Sequence, residues 1–297
     1  MRQAGQATPT TTNKSGWRMP PVAASLSEAE AAEWSLAIAD RLGLYFTPER
    51  RQFMVDRLWK RVNALGLGSP ALYHAYLLSH PTEWDTLAEA LVVNESRFFR
   101  EELLFQALGE HILPQLVRRR EQVGGRRELA LWSAGCSTGE EAYTLAMTVL
   151  ESVPLPTLWD VQVLGTDLSG DNLARAREGQ YETRRLAGLP QPWFDRYVEI
   201  RGERAWMRPA VRALTTFRRH NLCGDVWAIG PQDVIACLNV LIYFRREDQL
   251  STLNRLYDTL RPGGYLLIGA TEFPIVPIRP GVTPVRVGGA LAYQRAL

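Results

Sequence analysis

The sequence predicts an α/β protein in which a small N-terminal all-α domain precedes a doubly wound, mostly parallel sheet with a small inserted antiparallel β element. Three observations lead there. Residues 21–93 carry helical periodicity and no strand-like run. From about residue 128, short apolar strands alternate with helices, the pattern of a parallel sheet covered on both faces. Residues 184–219 interrupt that alternation with nine arginines against three acids, together with Trp193, Phe194, Tyr197, Trp206 and Phe217.

Each element has its own signal. Residues 1–20, rich in Thr, Gln, Gly and Ser, are expected to form a disordered tail. Ser27 is an N-cap followed by acids, Leu36, Ile38 and Leu42 supply an apolar face, and Gly43 suits the stop. A second helix starts at Thr47-Pro48, with Phe53, Val55, Leu58, Trp59, Val62 and Leu65 toward the core. "SPALYHAYLLSH" and "PTEWDTLAEALVV" read as two more short helices. In the second half, "LALWSA", "VQVLGT", "DVIACL" and "GYLLIGA" read as strands, the last one following an Arg-Pro-Gly-Gly turn. "GEEAYTLAMTVLES", "SGDNLARAREG" and "REDQLSTLNRLYDTL" read as the helices between them. "YVEIRG" and "AVRALTTF" have strand composition and are assigned to the insert, and "ALAYQRA" to a last strand.

Bulk properties exclude several classes. At 297 residues the chain is long enough for two domains. A net charge of +2 argues against holding nucleic acid by bulk electrostatics. Cys136, Cys223 and Cys237 are odd in number and lack metal-ligand spacing, so free thiols in a reducing compartment are expected, and no metal. No secretory signal is read at the N-terminus, and the longest apolar run is too short to span a bilayer. A cytoplasmic monomer, not inserted in a membrane, is the expectation.

The chemistry starts at "LWSAGCSTGEEAY" (131–143), where a strand runs into a small-residue turn and then two acids. Gly135 and Gly139 allow close approach of backbone to a ligand. The turn lacks G-x-G-x-x-G, which weighs against a nicotinamide dehydrogenase, and Glu140 and Glu141 would repel phosphate. S-adenosylmethionine fits better, with ribose hydroxyls, an α-amino group and a sulfonium. The same residues also read as a plain helix start with acids near its positive end. Asp167, at the end of the second strand, can accept ribose hydroxyls or simply cap the helix after it. Asn221 and Asn239 sit at the mouths of later strands and offer donor and acceptor together.

"NESRFFRE" (94–101), "LWSAGCSTGEEAY", "GTDLSGDNLARAREGQY", "NLCGD", "DVIACLNVLIYF" and "LRPGGYLLIGATE" together resemble the CheR family. These are bacterial methyltransferases that move a methyl group from S-adenosylmethionine to glutamate side chains of chemoreceptors. The motifs run in family order over residues 94–272. The resemblance implies a Rossmann-like methyltransferase sheet at 101–297 with its β insert at about 186–216, after a helical domain and linker at 21–100. By position, Asn94, Ser96 and Arg100 resemble the linker that folds over the cofactor, with Arg100 near the reacting methyl. Gly135 and Glu140 resemble the cofactor turn, Asp167 the ribose ligand, and Asn221 with Leu222 the adenine contact. Asn239 and Tyr243 resemble the residues facing the sulfonium and the incoming carboxylate. Leu238, grouped with the cofactor-facing residues, stands where the family often has arginine. "NES" replaces "NET", and "GATE" replaces "GHSE".

The resemblance implies no general base, because an exposed glutamate of pKa about 4.3 is already ionised. Arg100 and Tyr243 are the expected catalytic residues, and S-adenosylhomocysteine is the product. The basic stripe Arg50, Arg57, Lys60 and Arg61 is either a solvated face or the surface that reads the receptor's cytoplasmic helices. The arginine-rich insert is the other docking candidate, since in some members it takes the receptor's C-terminal peptide. The competing expectations are a cofactor-binding scaffold without turnover and a methyltransferase for a different substrate.

Overall fold

The computed structural model describes residues 26–224, 227–276 and 279–297, so the expected tail at 1–20 lies outside the described residues. Four helices open the chain: α1 (Glu28–Leu42), α2 (Arg51–Ala64), α3 (Pro70–Ser79) and α4 (Glu83–Leu91). Ser27 and Glu30 close a capping box at the start of α1, and Gly43 ends it in the left-handed conformation. Trp34, Ile38, Leu42, Met54, Leu58, Val62, Tyr73, Leu77 and Leu87 form the helical core. Leu36, expected inward, is 48% exposed. On α2 the deepest residues are Met54, Val55, Leu58 and Val62, and Phe53, Trp59 and Leu65 are only partly buried. The inward stripe thus runs through Met54, Val55, Leu58 and Val62, with Phe53 and Trp59 beside it rather than on it.

After the linker come α5 (Glu102–Ala107) and α6 (Leu113–Val123), joined by a π-helical turn. The alternating half follows: β1 (Glu128–Ala134), α7 (Glu140–Ser152), β2 (Asp160–Asp167) and α8 (Gly170–Glu178). Then come β3 (Gln180–Glu182), α9 (Gln191–Tyr197), β4 (Val198–Arg201), β5 (Arg204–Met207), α10 (Pro209–Arg212) and β6 (Thr215–Arg219). The chain ends with β7 (Gln232–Cys237), α11 (Arg246–Thr259), β8 (Leu260–Ile268), β9 (Val282–Val287) and β10 (Ala290–Arg295).

Two sheets result. The larger has the order β6-β2-β1-β7-β8-β10-β9, parallel from β6 to β8, with β10 antiparallel to both its neighbours. The smaller is antiparallel, in the order β3-β5-β4. It spans Gln180–Met207 rather than 186–216. "AVRALTTF" is not part of it: its first half lies in α10 and the turn after it, and its second half is β6, which pairs in parallel with β2. Thr215–Phe217 reads as strand in either place, and composition carries no information on which sheet it joins. The Arg-Pro-Gly-Gly segment is a bulge inside β8 rather than a turn before it. Pairing with β7 steps from Gln232 opposite Leu260 to Val234 opposite Tyr265, with Gly263 at φ 73°.

From β1 the chain builds outward to β2 and β6, then returns to the other side of β1 with β7. Strand order therefore reverses between β1 and β7, and a crevice opens there at the carboxyl ends of the strands. The helical domain sits over that crevice. Asp40 pairs with Arg245 (2.7 Å) and Asp85 with Arg219 (2.6 Å). Glu89 accepts from the Gly170 amide (2.6 Å) and from the Ser169 hydroxyl, and the Tyr45 amide donates to the Tyr243 carbonyl (2.7 Å).

Candidate functional site

The crevice is a pocket with about 1100 Å³ of empty space, counted out to its open mouth. Its floor is the turn after β1. Gly135 takes φ 89°, and a Cβ there would lie 2.5 Å from Val240 Cγ2, so only glycine fits. The amides of Gly135 and Cys136 both donate to the Thr166 carbonyl (2.8 Å each), tying the turn to β2. Ser137, at φ 48°, donates its amide to Asp167 Oδ2 (2.8 Å), and the Ser169 amide donates to Oδ1 (2.9 Å). Asp167 lines the pocket and at the same time holds the start of α8. Burial raises its pKa, and the two amides oppose the shift.

The structure separates the two acids of the turn. Glu140 is fully buried away from the pocket, accepting from the Thr138 hydroxyl (2.7 and 2.9 Å) and from Arg185 Nη1 (2.9 Å). Glu141 is the one that lines the pocket. Consecutive helical residues point about 100° apart, so one ligand cannot meet both. Burial pushes the Glu141 carboxyl up to about 8, against the pull of the Ser133 hydroxyl (2.6 Å). The carboxylate of Glu272 adds to the rise and the Arg100 guanidinium opposes it.

Ser96, Arg100, Gly135, Asp167, Asn221, Leu222, Leu238, Asn239 and Tyr243 all line this one pocket. Asn94 does not; its Oδ1 accepts from Asn172 Nδ2 (2.7 Å), clamping the linker onto α8. Arg100 donates from Nη1 to the Glu95 carbonyl (3.0 Å) and lies 3.5 Å from the Glu95 carboxylate. Asn221 accepts from the Cys223 amide (2.9 Å), and Leu222 and Leu238 are buried apolar wall.

The basic stripe on α2 does not form a single face. Arg61 binds Glu83 through two nitrogens (2.8 and 3.1 Å), and Tyr73 donates to the same carboxylate (2.9 Å), so this arginine serves the helical core. Arg50 turns into the pocket, its guanidinium 4.7 Å from the Tyr243 ring centroid. Arg57 lies over Phe53 (4.8 Å), and Lys60 is exposed.

Sequence reading missed the part played by the helical domain. Leu42, Leu44, Tyr45, Phe46 and Arg50 wall the pocket, and periodicity within one domain carries no signal of contact with another. It also missed His220, set edge-on between Trp132 and Trp227 and lowered to about 4 by burial and the nearby Arg218 and Arg255.

A ligand can be tested against this lining. Ser137 Oγ, Asn172 Oδ1, His220 Nε2 and Asn239 Oδ1 are buried without a hydrogen-bond partner among the described residues, and all four residues line the pocket. Orphaned polar atoms around a pocket call for a polar guest. Asp167 and Glu141 suit hydroxyls and a cation better than phosphate. S-adenosylmethionine meets that description. Among the described residues no group of three or more His, Cys, Asp or Glu side chains could hold a metal ion, and no helix is long and apolar enough to cross a membrane.

The chain is similar to known proteins over both its helical and its α/β part. The model of the CheR methyltransferase SAM-binding domain matches residues 94–275, and that of the CheR methyltransferase all-alpha domain matches residues 29–92. Chemotaxis protein methyltransferase 1 of Pseudomonas aeruginosa is 36% identical over 211 residues, covering 67% of this chain and 76% of that protein. Chemotaxis protein methyltransferase 2 of the same organism is 35% identical over 238 residues, covering 77% and 81%. The chemotaxis protein methyltransferase of Vibrio parahaemolyticus is 30% identical over 274 residues, covering 88% and 98%.

Proposed function

The chain belongs to the CheR methyltransferase family, and on that premise we propose that it transfers a methyl group from S-adenosylmethionine to glutamate side chains in the cytoplasmic helical domain of chemoreceptors. The observation that carries the proposal is that nine residues from five separated motifs, Ser96 to Tyr243, line one pocket at the switch point of the sheet. Asp167 would hold the ribose, Asn221 and Leu222 the adenine, and Glu141 with Asn239 the amino-acid end and the sulfonium. Bound there, S-adenosylmethionine supplies a methyl group on a positively charged sulfur.

The chain's residues then have three tasks. The first is alignment: the substrate carboxylate must lie about 3 to 3.5 Å from the methyl carbon and in line with the bond that breaks. Arg100 can hold one carboxylate oxygen while the other attacks. It is free to do so because its present partner, Glu95, is 75% exposed, and such pairs hold with only about 0–1 kcal/mol. The second task is to strip water from that anion, which Leu238, Phe105 and the Tyr243 ring serve as apolar wall. The third is to leave the proton balance alone. The C–O bond forms as the S–CH3 bond breaks, a neutral thioether leaves, and no side chain takes a proton.

Docking divides between two surfaces. Arg57 and Lys60, on α2 beyond Arg50, would offer positive charge to an acidic receptor helix. The outer edge of β4 has no partner strand among the described residues and could take an extended receptor C-terminal peptide. The test is labelled-methyl transfer to a receptor cytoplasmic fragment, with and without its C-terminal tail. Wild type is expected to transfer. Arg100→Ala is expected to lose at least about 100-fold in kcat at an unchanged melting temperature, the scale of removing one oriented charged donor. Unchanged transfer by Arg100→Ala removes its role. Absent transfer by a wild type that binds S-adenosylhomocysteine favours the scaffold reading.

A further inference from the structure

Glu272 lies just outside the pocket, in the short helical turn Ala270–Ile275 after β8, and is fully buried. Among the described residues no cation pairs with it. Backbone amides satisfy it instead. Asn239 donates to Oε2 at 2.6 Å, Leu241 to Oε1 at 2.7 Å, and Gly269 to Oε2 at 3.3 Å. The amides of Val240 and Ile242 also stabilise the charged form, against the upward push of burial. The segment so gripped, 239–243, carries three pocket residues, Asn239, Val240 and Tyr243. Asn239 adopts φ 60°, a left-handed conformation that a non-glycine residue seldom takes unless its surroundings impose it. Its side-chain Oδ1 is one of the orphaned acceptors of the pocket.

We propose that Glu272 is a positioning residue. Its carboxylate fixes the left-handed turn at Asn239, and so aims the Asn239 amide group at the cofactor. The inference rests on the proposed function in taking Asn239 to face S-adenosylmethionine. Gly269 completes the device. A Cβ there would meet Glu272 Oε2 at 2.9 Å and Asn239 Nδ2 at 3.1 Å, so a bare backbone is what lets acid and amide approach each other. The glycine and the acid of "GATE" therefore act as a unit, with two small residues between them that the junction does not use.

The test is a double-mutant cycle read on S-adenosylhomocysteine affinity by calorimetry. Asn239→Gly removes the side chain and accepts φ 60° without strain. Glu272→Gln is expected to weaken binding about tenfold in the wild-type background, the scale of a lost charge-assisted hydrogen bond. In the Asn239→Gly background the same change is expected to cost less than about twofold, because the group it positions is gone. Equal losses in the two backgrounds, or no loss in either, would overturn the proposal, since a merely structural acid costs the same in both. Should Glu272→Gln not fold, Gly269→Ala decides. Its φ of −61° suits alanine, so the strain it adds is the contact with Glu272 and Asn239 alone; the melting temperature should fall modestly and affinity several-fold, and unchanged affinity overturns the proposal. Methyl transfer by wild type, measured in parallel, reports on the proposed function alone and does not enter the cycle.

Discussion

Glu141 should give up a proton when the cofactor binds. With a pKa of about 8 it is about nine-tenths protonated at pH 7 in the free protein. A cation brought within a few ångströms lowers a carboxyl by about 1 to 3 units. A fall of one unit leaves the group about half protonated and releases about 0.4 proton per site. A fall of three leaves it ionised and releases about 0.9. Calorimetric titration of S-adenosylhomocysteine at pH 7, in phosphate and again in Tris, reads that number from the difference in heat. Release between these limits is expected for wild type, and none for Glu141→Gln. Equal heats in both buffers would refute the assignment of Glu141 to the cationic end of the ligand. The sign carries over to stability. A carboxyl raised on folding binds more protons folded than unfolded, so its contribution to stability falls as pH rises from about 4.5 to about 8. Asp167 and Glu272 are raised as well and push in the same direction. The free protein should melt lower at pH 8 than at pH 6, and the bound protein should show a flatter profile.

Two further outcomes are expected. Gly135→Ala combines a strained φ with a 2.5 Å contact on Val240, and should cost about 2–4 kcal/mol by chemical denaturation while abolishing S-adenosylhomocysteine binding; binding retained at wild-type affinity would show that the turn does not meet the ligand. Reversing Arg57 and Lys60 to Glu should raise KM for the receptor fragment several-fold at low salt, lose that effect near 0.5 M salt, and leave cofactor affinity alone; a normal KM would remove α2 from substrate reading.

The alternating half of the fold was legible because parallel strands buried on both faces leave short apolar runs that little else produces. β9 went unseen: "VTPVRV" is half exposed, contains a proline and pairs only with β10, so neither its burial nor its composition marks it. β6 has strand composition, but its sheet is not legible, because its partner β2 lies some fifty residues away in sequence. At the site, Gly135, Asp167 and Asn239 stood out as unusual residue types at strand ends. Glu140 and Glu141 could not be told apart, since both begin the same helix. The difference is made by Arg185 and Thr138 on one side and Ser133 on the other. Arg61 looked like its neighbours Arg57 and Lys60 until Glu83, 22 residues on, was seen beneath it.

The roof of the pocket is made by α1, the loop after it and the first residue before α2, fastened to the sheet by Asp40, Asp85 and Glu89. Should the helical domain read the acceptor as proposed, recognition of the acceptor and retention of the donor are inherited together. A lineage that altered these helices to suit a new receptor would have altered its grip on the nucleoside in the same stroke, which ties the pace at which such an enzyme can change clients to how much donor affinity it can spare.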